Sequence, residues 1–425
     1  MKKTILITVM MSVICGAHAG GVSVPHTFSP NTPAKASEVN ANFAALVAKI
    51  NQLENRIADL EGNSVIALDG VLKLGTYDDD EQYPTAIFEG VNLQVVDGTG
   101  ATVSAVGTGN IIIGYNESGA NAPEFCSNSA IGNETDCTND GSLWSNNVHS
   151  GSHNLILGES NSYTEFASIV AGNNNVVQGT FASVLGGRLN KITGDHASII
   201  SGFANRASGA SSVVIGGLQN TSSGVESTVV GGRFNNAKGL RASILGGESN
   251  QSIGQYSTIS AGQLNKSLSD FSSVAGGQNN KAGGDENDST IGIHASVSGG
   301  TQNQAVGTYS SVTGGGGNQA SGEFSSVTGG TVNLASGTGA VVSGGTENIA
   351  SGELSSVTAG EDNEALGNIS SVTGGGDNLA SGVGAAVSGG VQNVSSALGA
   401  TISGGQARTA TDEFDWVGGS LTEDN

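Results

Sequence analysis

Histidine is the side chain best suited to proton transfer near neutral pH and to ligating transition metals. Beyond His18 the chain has five: His26, His149, His153, His196 and His294. Only His149 and His153 are close together. A four-residue gap would set two ligands on one helix face, but the surrounding stretch, NNVHSGSHN, reads as turn, so no metal site is expected there. Serines are plentiful, yet no Gly-x-Ser-x-Gly elbow comes with a suitable acid and histidine. Carboxylates gather at 77–82 (YDDDEQ) and 283–288 (GGDEND). Calcium-binding nonapeptide repeats need a period of nine with Asp at fixed places, so both clusters are expected to be solvated loop charge. Arg188, Arg206 and Arg233 recur in different columns of the repeat described below, rather than forming the stacked groove that a polysaccharide lyase or hydrolase would need. No catalytic residue, cofactor site or metal site is therefore expected, and the chain is not expected to be an enzyme.

The cysteines and tryptophans carry the remaining candidate chemistry. Cys126 and Cys137 form an isolated pair, expected to be a local disulfide in an oxidising compartment. They lie in an irregular insertion, roughly 115–149, that also holds Trp144, one of 2 tryptophans. A tied loop presenting Trp144 could stack on a sugar; equally, Trp144 could cap an open core. Trp416, with Phe414, is expected to cover the last turn of the fold, since repetitive cores need closed ends.

Composition sets the elements that must position these groups. Lys2 and Lys3, an apolar run from Ile5 to Ile14 and Ala17-His18-Ala19 predict a secretory signal over 1–19. No later stretch is apolar enough to span a bilayer, so the expectation is a secreted, extracellular or surface-associated chain. With 68 glycines, 4% aromatic and 12% charged residues, a thick aromatic core is excluded. A net charge of −22 disfavours nucleic acid and anionic lipid as partners.

Repetition dominates. An apolar anchor falls at 169 and then every fifteen residues to 274, resumes at 297 and continues to Ile402, broken once by an eight-residue insertion near 283–288. Three residues after each anchor stands glycine. Six residues after it stands asparagine: Asn175, Asn190, Asn205, Asn220, Asn235, Asn250, Asn265, Asn280, Asn303, Asn318, Asn333, Asn348, Asn363, Asn378 and Asn393. Ten residues after it glycine usually recurs. Gly and Asn tolerate left-handed backbone, so each unit reads as strand, turn, strand, turn. Such units bury little alone and must stack. The predicted fold is all-β, a parallel β-roll or β-solenoid of about sixteen rungs some 75 Å long, with the asparagine side chains bonding one another as an amide ladder.

One segment is helical. Val39, Phe43, Leu46, Ile50, Leu53, Ile57 and Leu60 alternate in steps of four and three, a heptad seam. Ser37 is the expected N-cap and Gly62 the stop. Arg56-Ile57-Ala58-Asp59-Leu60-Glu61 fits the short charge-and-core signature of parallel three-stranded coils, so Phe43, Leu46, Ile50, Leu53, Arg56, Ile57, Leu60 and Glu61 are assigned to trimerisation. The predicted organisation is signal 1–19, linker 20–36, coiled-coil stalk 37–62, β connector 63–108, imperfect rungs with the cysteine loop 109–161, head 162–406 and C-terminal cap 407–425.

The unit SSVTGGTVNLASG, at 325–337, resembles the head repeats of trimeric autotransporter adhesins of the YadA type, over roughly 110–403. The resemblance implies a left-handed parallel β-roll, three chains together, in which the usual unit is fourteen residues. Here the coil precedes the head, and the sequence ends in WVGGSLTEDN without a β-barrel anchor, so self-translocation and membrane tethering are not carried over. The expected function is multivalent attachment to a surface, matrix or cell through a glycan or protein receptor. The alternatives are a fibre-like receptor-binding or secretion-apparatus component and a polysaccharide-active β-helix enzyme. Ice or mineral binding fits poorly. The residue after the anchor is threonine at Thr313, Thr328, Thr358 and Thr373 but serine at Ser343 and Ser388.

Overall fold

A computed structural model describes residues 22–62, 71–77, 80–117 and 124–418. The predicted signal (1–19), the start of the connector and the last seven residues lie outside them. The chain divides into two units, Met1–Gln94 and Val95–Asn425.

In the first unit, α1 (Ala36–Glu61) is the heptad segment. Its N-cap is Lys35, whose side chain caps nothing; Ser37 sits inside the first turn, correcting its assignment. The entry is instead clamped by Asn42. Its Oδ1 accepts the His26 N–H at 2.9 Å and its Nδ2 donates to the His26 carbonyl at 2.7 Å. Gly62 ends the helix with right-handed φ −74°, its N–H bonded to Ala58 O. Of the expected β connector, β1 (Leu72–Tyr77) and β2 (Asp80–Phe88) pair as an antiparallel hairpin, while 91–98 forms no strand.

The second unit is a parallel β-solenoid of about 18 turns. A representative turn has three extended pieces: Ser326–Val327 on a first face, a single bridge residue Thr331, and Leu334–Ala335 on a second face. Each pairs in parallel with its copy fifteen residues on, for example Val327 with Val342 and Ala335 with Ala350. The core is thin. One Val or Ile per turn (Val184, Ile199, Val327, Ile402) packs on alanine from the second face and on small residues such as Ala340 or Ser325, all fully buried. Burying each such anchor is worth about 1.5–3 kcal/mol. Where both small positions are serine the hydroxyls bond each other, as in Ser222–Ser227 and Ser252–Ser257 at 2.7 Å.

The first anchor is corrected. Val184 pairs with Val170, not with Ile169, and Val170 is the buried residue while Ile169 faces out. Ile156, Val170 and Val184 therefore step by fourteen, and fifteen begins only afterwards. The extra residue follows the anchor: Val170-Ala171-Gly172 becomes Val184-Leu185-Gly186-Gly187. It breaks a continuous strand such as Ile169–Asn173 into a two-residue strand and a separate bridge. The imperfect rungs at Ile111–Ile113 and Leu155–Glu159 are true turns of the same sheet. At the other end Thr409–Ala410 and Trp416–Val417 continue both faces, so the ladder runs beyond 406.

The asparagine column is buried throughout, but its bonds differ from the expected amide-to-amide ladder. Each Oδ1 accepts the backbone N–H of the next asparagine at 2.9–3.2 Å, and that of Asn393 accepts the Arg408 N–H at 3.0 Å. Each Nδ2 donates to a backbone carbonyl in its own turn and to a glycine carbonyl one turn on, as Asn348 does to Gly344 and Gly360. Amide-to-amide bonds are added only at Asn333, Asn363, Asn378 and Asn393. Left-handed φ also falls elsewhere than expected. Gly330 and its equivalents have it, but the ladder asparagines do not; the residue before each does, Leu189 and even Val332 included. A second left-handed corner precedes each anchor, at Tyr256, Phe324 or Ile369. The other recurrent glycine, such as Gly352, is needed for closeness, because a Cβ there would strike the backbone of Gly367.

Candidate binding surface

A uniform backbone means that any side-chain position, once it faces outward, becomes a straight column. On the first face the residue after the anchor is apolar in the early turns. Leu185, Ile200, Ile215 and Leu245 are 39–54% exposed in the single chain. From Ser298 through Thr313, Thr328 and Thr373 the same column carries hydroxyls.

The corner before the anchor forms an aromatic stack that sequence reasoning missed. Tyr256, Phe271, His294, Tyr309 and Phe324 follow one another ring on ring, with centroids 4.8–5.1 Å apart and planes within 14°. The signal was present: each lies three residues before an anchor, so the five share the ladder's period, including its one long step. The left-handed corner throws these side chains outward, and rung spacing leaves them at stacking distance.

The Cys126–Cys137 disulfide forms as expected, with the two Cα atoms 5.6 Å apart and both residues buried. Short strands β3 (Phe125–Cys126) and β4 (Trp144–Ser145) pair antiparallel, and helix α2 (Glu134–Asn139) is capped by Asn133 Oδ1, which accepts the Asp136 N–H. The loop docks on the second face. Phe125 and Val148 pack on Val176, Gln178 Nε2 donates to Cys126 O at 2.8 Å, and the Lys191 ammonium sits 5.2 Å from the Phe125 ring centre. Trp144 is half-buried, lies in neither core cluster and donates from Nε1 to Glu124 at 3.0 Å. It therefore does not cap the core. Nor do Phe414 and Trp416, contrary to the expectation: they are 72% and 64% exposed, and Val417 takes the inward position beside them.

The histidines bond separately. His149 stacks on Tyr163 at 5.0 Å and meets Asn116 and Asn161. His153 lies 3.7 Å from the Asp97 carboxylate, whose side chain is 1% exposed. The Ser104 hydroxyl, the Thr99 N–H and hydroxyl, and His153 hold the Asp97 carboxyl at about 2. Arg188 and Arg233 share the bridge column three turns apart, contrary to the expectation, but Arg206 lies on the second face and Arg233 is paired with Glu248 at 2.7 Å. Of the carboxylates in 77–82, Asp78 and Asp79 lie outside the described residues.

In α1 the assigned seam, Phe43, Leu46, Ile50, Leu53, Ile57 and Leu60, is exposed in the single chain, and the helix buries none of its residues. Arg56 and Glu61 flank it, also exposed. No helix among the described residues is long and apolar enough to cross a membrane. No protein-family model matches the chain, and no curated protein matches it significantly.

Proposed function

We propose that this is a secreted adhesive protein whose solenoid, as a homotrimer, presents repeated polar and aromatic columns for multivalent attachment to a surface, matrix or cell. The observation that carries the reading is the outward column itself. A side chain repeated at each turn of a hydrogen-bonded ladder gives many weak contacts at fixed spacing, and linking weak contacts multiplies affinity without any deep site. Export is supported by the Cys126–Cys137 bond, which persists in oxidising compartments. Trimerisation is supported by the uncovered seam of α1 and by the apolar column at Leu185, Ile200, Ile215 and Leu245, surfaces that three chains would remove from water.

Two measurements test this. Sedimentation equilibrium of the mature protein should give three times the chain mass, and cells lacking the protein should attach less well to a surface that wild-type cells colonise. A monomer, or attachment unchanged by deletion, overturns the reading.

A further inference from the structure

On the second face Lys266 and Lys281 stand directly opposite each other in successive turns. Like charges at parallel-strand spacing repel, and the neighbours in this column, Gln251 and Gln304, are neutral. The chain has only 15 Lys and Arg against 37 Asp and Glu, so a face-to-face lysine pair runs against its general character.

The single insertion in the repeat lies beside that pair. It leaves the ladder after Ala282 and brings Glu286 onto the Lys266 ammonium. The hydrogen bond from Lys266, and then the charges of Lys266, Lys238 and Lys281, push the Glu286 carboxyl below its usual range. The other two acids of the insertion turn to their own loop. Asp285 Oδ1 accepts the Asn287 N–H at 2.9 Å, and Asp288 Oδ1 accepts from Thr290 N–H and Oγ1. Among the described residues, the Lys281 ammonium makes no ion pair or hydrogen bond. The pair borders two open hollows. One, of about 460 Å³, is lined by the amides of Asn279, Gln302 and Gln304; the other, of about 240 Å³, is lined by Leu268, Gly284, Asp285 and Glu286. Together they offer a cationic centre beside neutral donors and acceptors, at a size that accepts one or two sugar rings.

We propose that the Lys266–Lys281 groove binds a uronic-acid residue of an acidic glycan, with Glu286 holding the carboxylate position until the ligand's carboxylate displaces it. This rests on the attachment reading and names its ligand class. A long nucleic acid, with a phosphate at every nucleotide, would be repelled along the rest of a chain of charge −22, whereas a short uronate oligosaccharide meets chiefly the groove.

The test is calorimetric titration of the full mature protein with trigalacturonate, and with maltotriose as the neutral probe. Trigalacturonate should bind, at least tenfold more weakly to Lys281→Ala and to Lys266→Ala, and severalfold more tightly to Glu286→Gln. Glu323→Gln removes the same charge away from the groove and should leave binding as it was. Thermal unfolding of each variant, matched to wild type, keeps the comparison fair. The proposal is overturned if trigalacturonate binds neither wild type nor Glu286→Gln, if Lys281→Ala binds as wild type does, or if maltotriose binds equally well. Attachment is read separately. Binding without any attachment phenotype upholds the groove and removes the adhesive role; attachment without binding does the reverse.

Discussion

Asn348 illustrates how one buried amide fixes a turn. Its Oδ1 accepts the Asn363 N–H at 3.1 Å, and its Nδ2 serves the carbonyls of Gly344 and Gly360. Asn348→Ala strands the Asn363 N–H and the Gly344 carbonyl, each of which costs about 1–3 kcal/mol when buried and unpaired, while the Gly360 carbonyl keeps the Thr346 N–H at 2.9 Å. The expected loss is about 3 kcal/mol or more, read in denaturant unfolding, with amide protection failing first at Asn363. Asp97 makes a prediction in pH. Its folded value of about 2 lies below the ordinary 3.8, so the carboxylate favours the folded state above pH 3.8, and that contribution disappears as pH falls toward 2. Hydrogen exchange between pH 5 and about 2 should show residues near Asp97 opening in that window. In Asp97→Asn this pH dependence should vanish.

At the scale of elements, the glycines divide into two kinds that sequence cannot separate. Gly352 lies against the Gly367 backbone, so Gly352→Ala must push neighbouring turns apart and should cost about 3 kcal/mol or more. Gly329 has nothing within 4 Å of an added Cβ and no left-handed φ. Gly329→Ala should fall within about 0.5 kcal/mol of wild type or gain slightly, through reduced freedom of the unfolded chain. The same denaturant assay checks both. In α1, Leu53→Asn puts an amide in the exposed seam; if the seam joins three chains, sedimentation should shift toward monomer while the far-ultraviolet signal of the solenoid stays. The heptad and the ladder were both legible because each is a spacing. The N-cap was not, since Ser37 and Lys35 differ in role only through where the preceding chain, held by Asn42 on His26, enters the helix.

For the whole solenoid, the disulfide loop is an addition to the ladder rather than a piece of its core. Phe125, Val148 and Val176 form a cluster apart from the continuous Val, Ile and Ala core. Reducing Cys126–Cys137 should therefore destabilise the loop, by about 3 kcal/mol for a closed loop of this length, and leave the main unfolding transition where it was. Trp144 fluorescence should report the first event, and circular dichroism the absence of change in the second.

The sequence alone determined the fifteen-residue period, the column of anchors from Val184 onward, the buried asparagines and the cysteine pairing. All of these are matters of which residue recurs at which interval, and stacking by parallel pairing preserves interval. Only the tertiary structure decided what each column bonds to. Whether Asn348 reaches another amide or the backbone depends on where the next turn's glycine carbonyl lies, and the shift from fourteen to fifteen residues after Val170 shows only once Val184 pairs with it. The meeting of Lys266, Lys281 and Glu286 is likewise tertiary. An insertion has no period, and the course of its chain across the second face is set by the turns on either side.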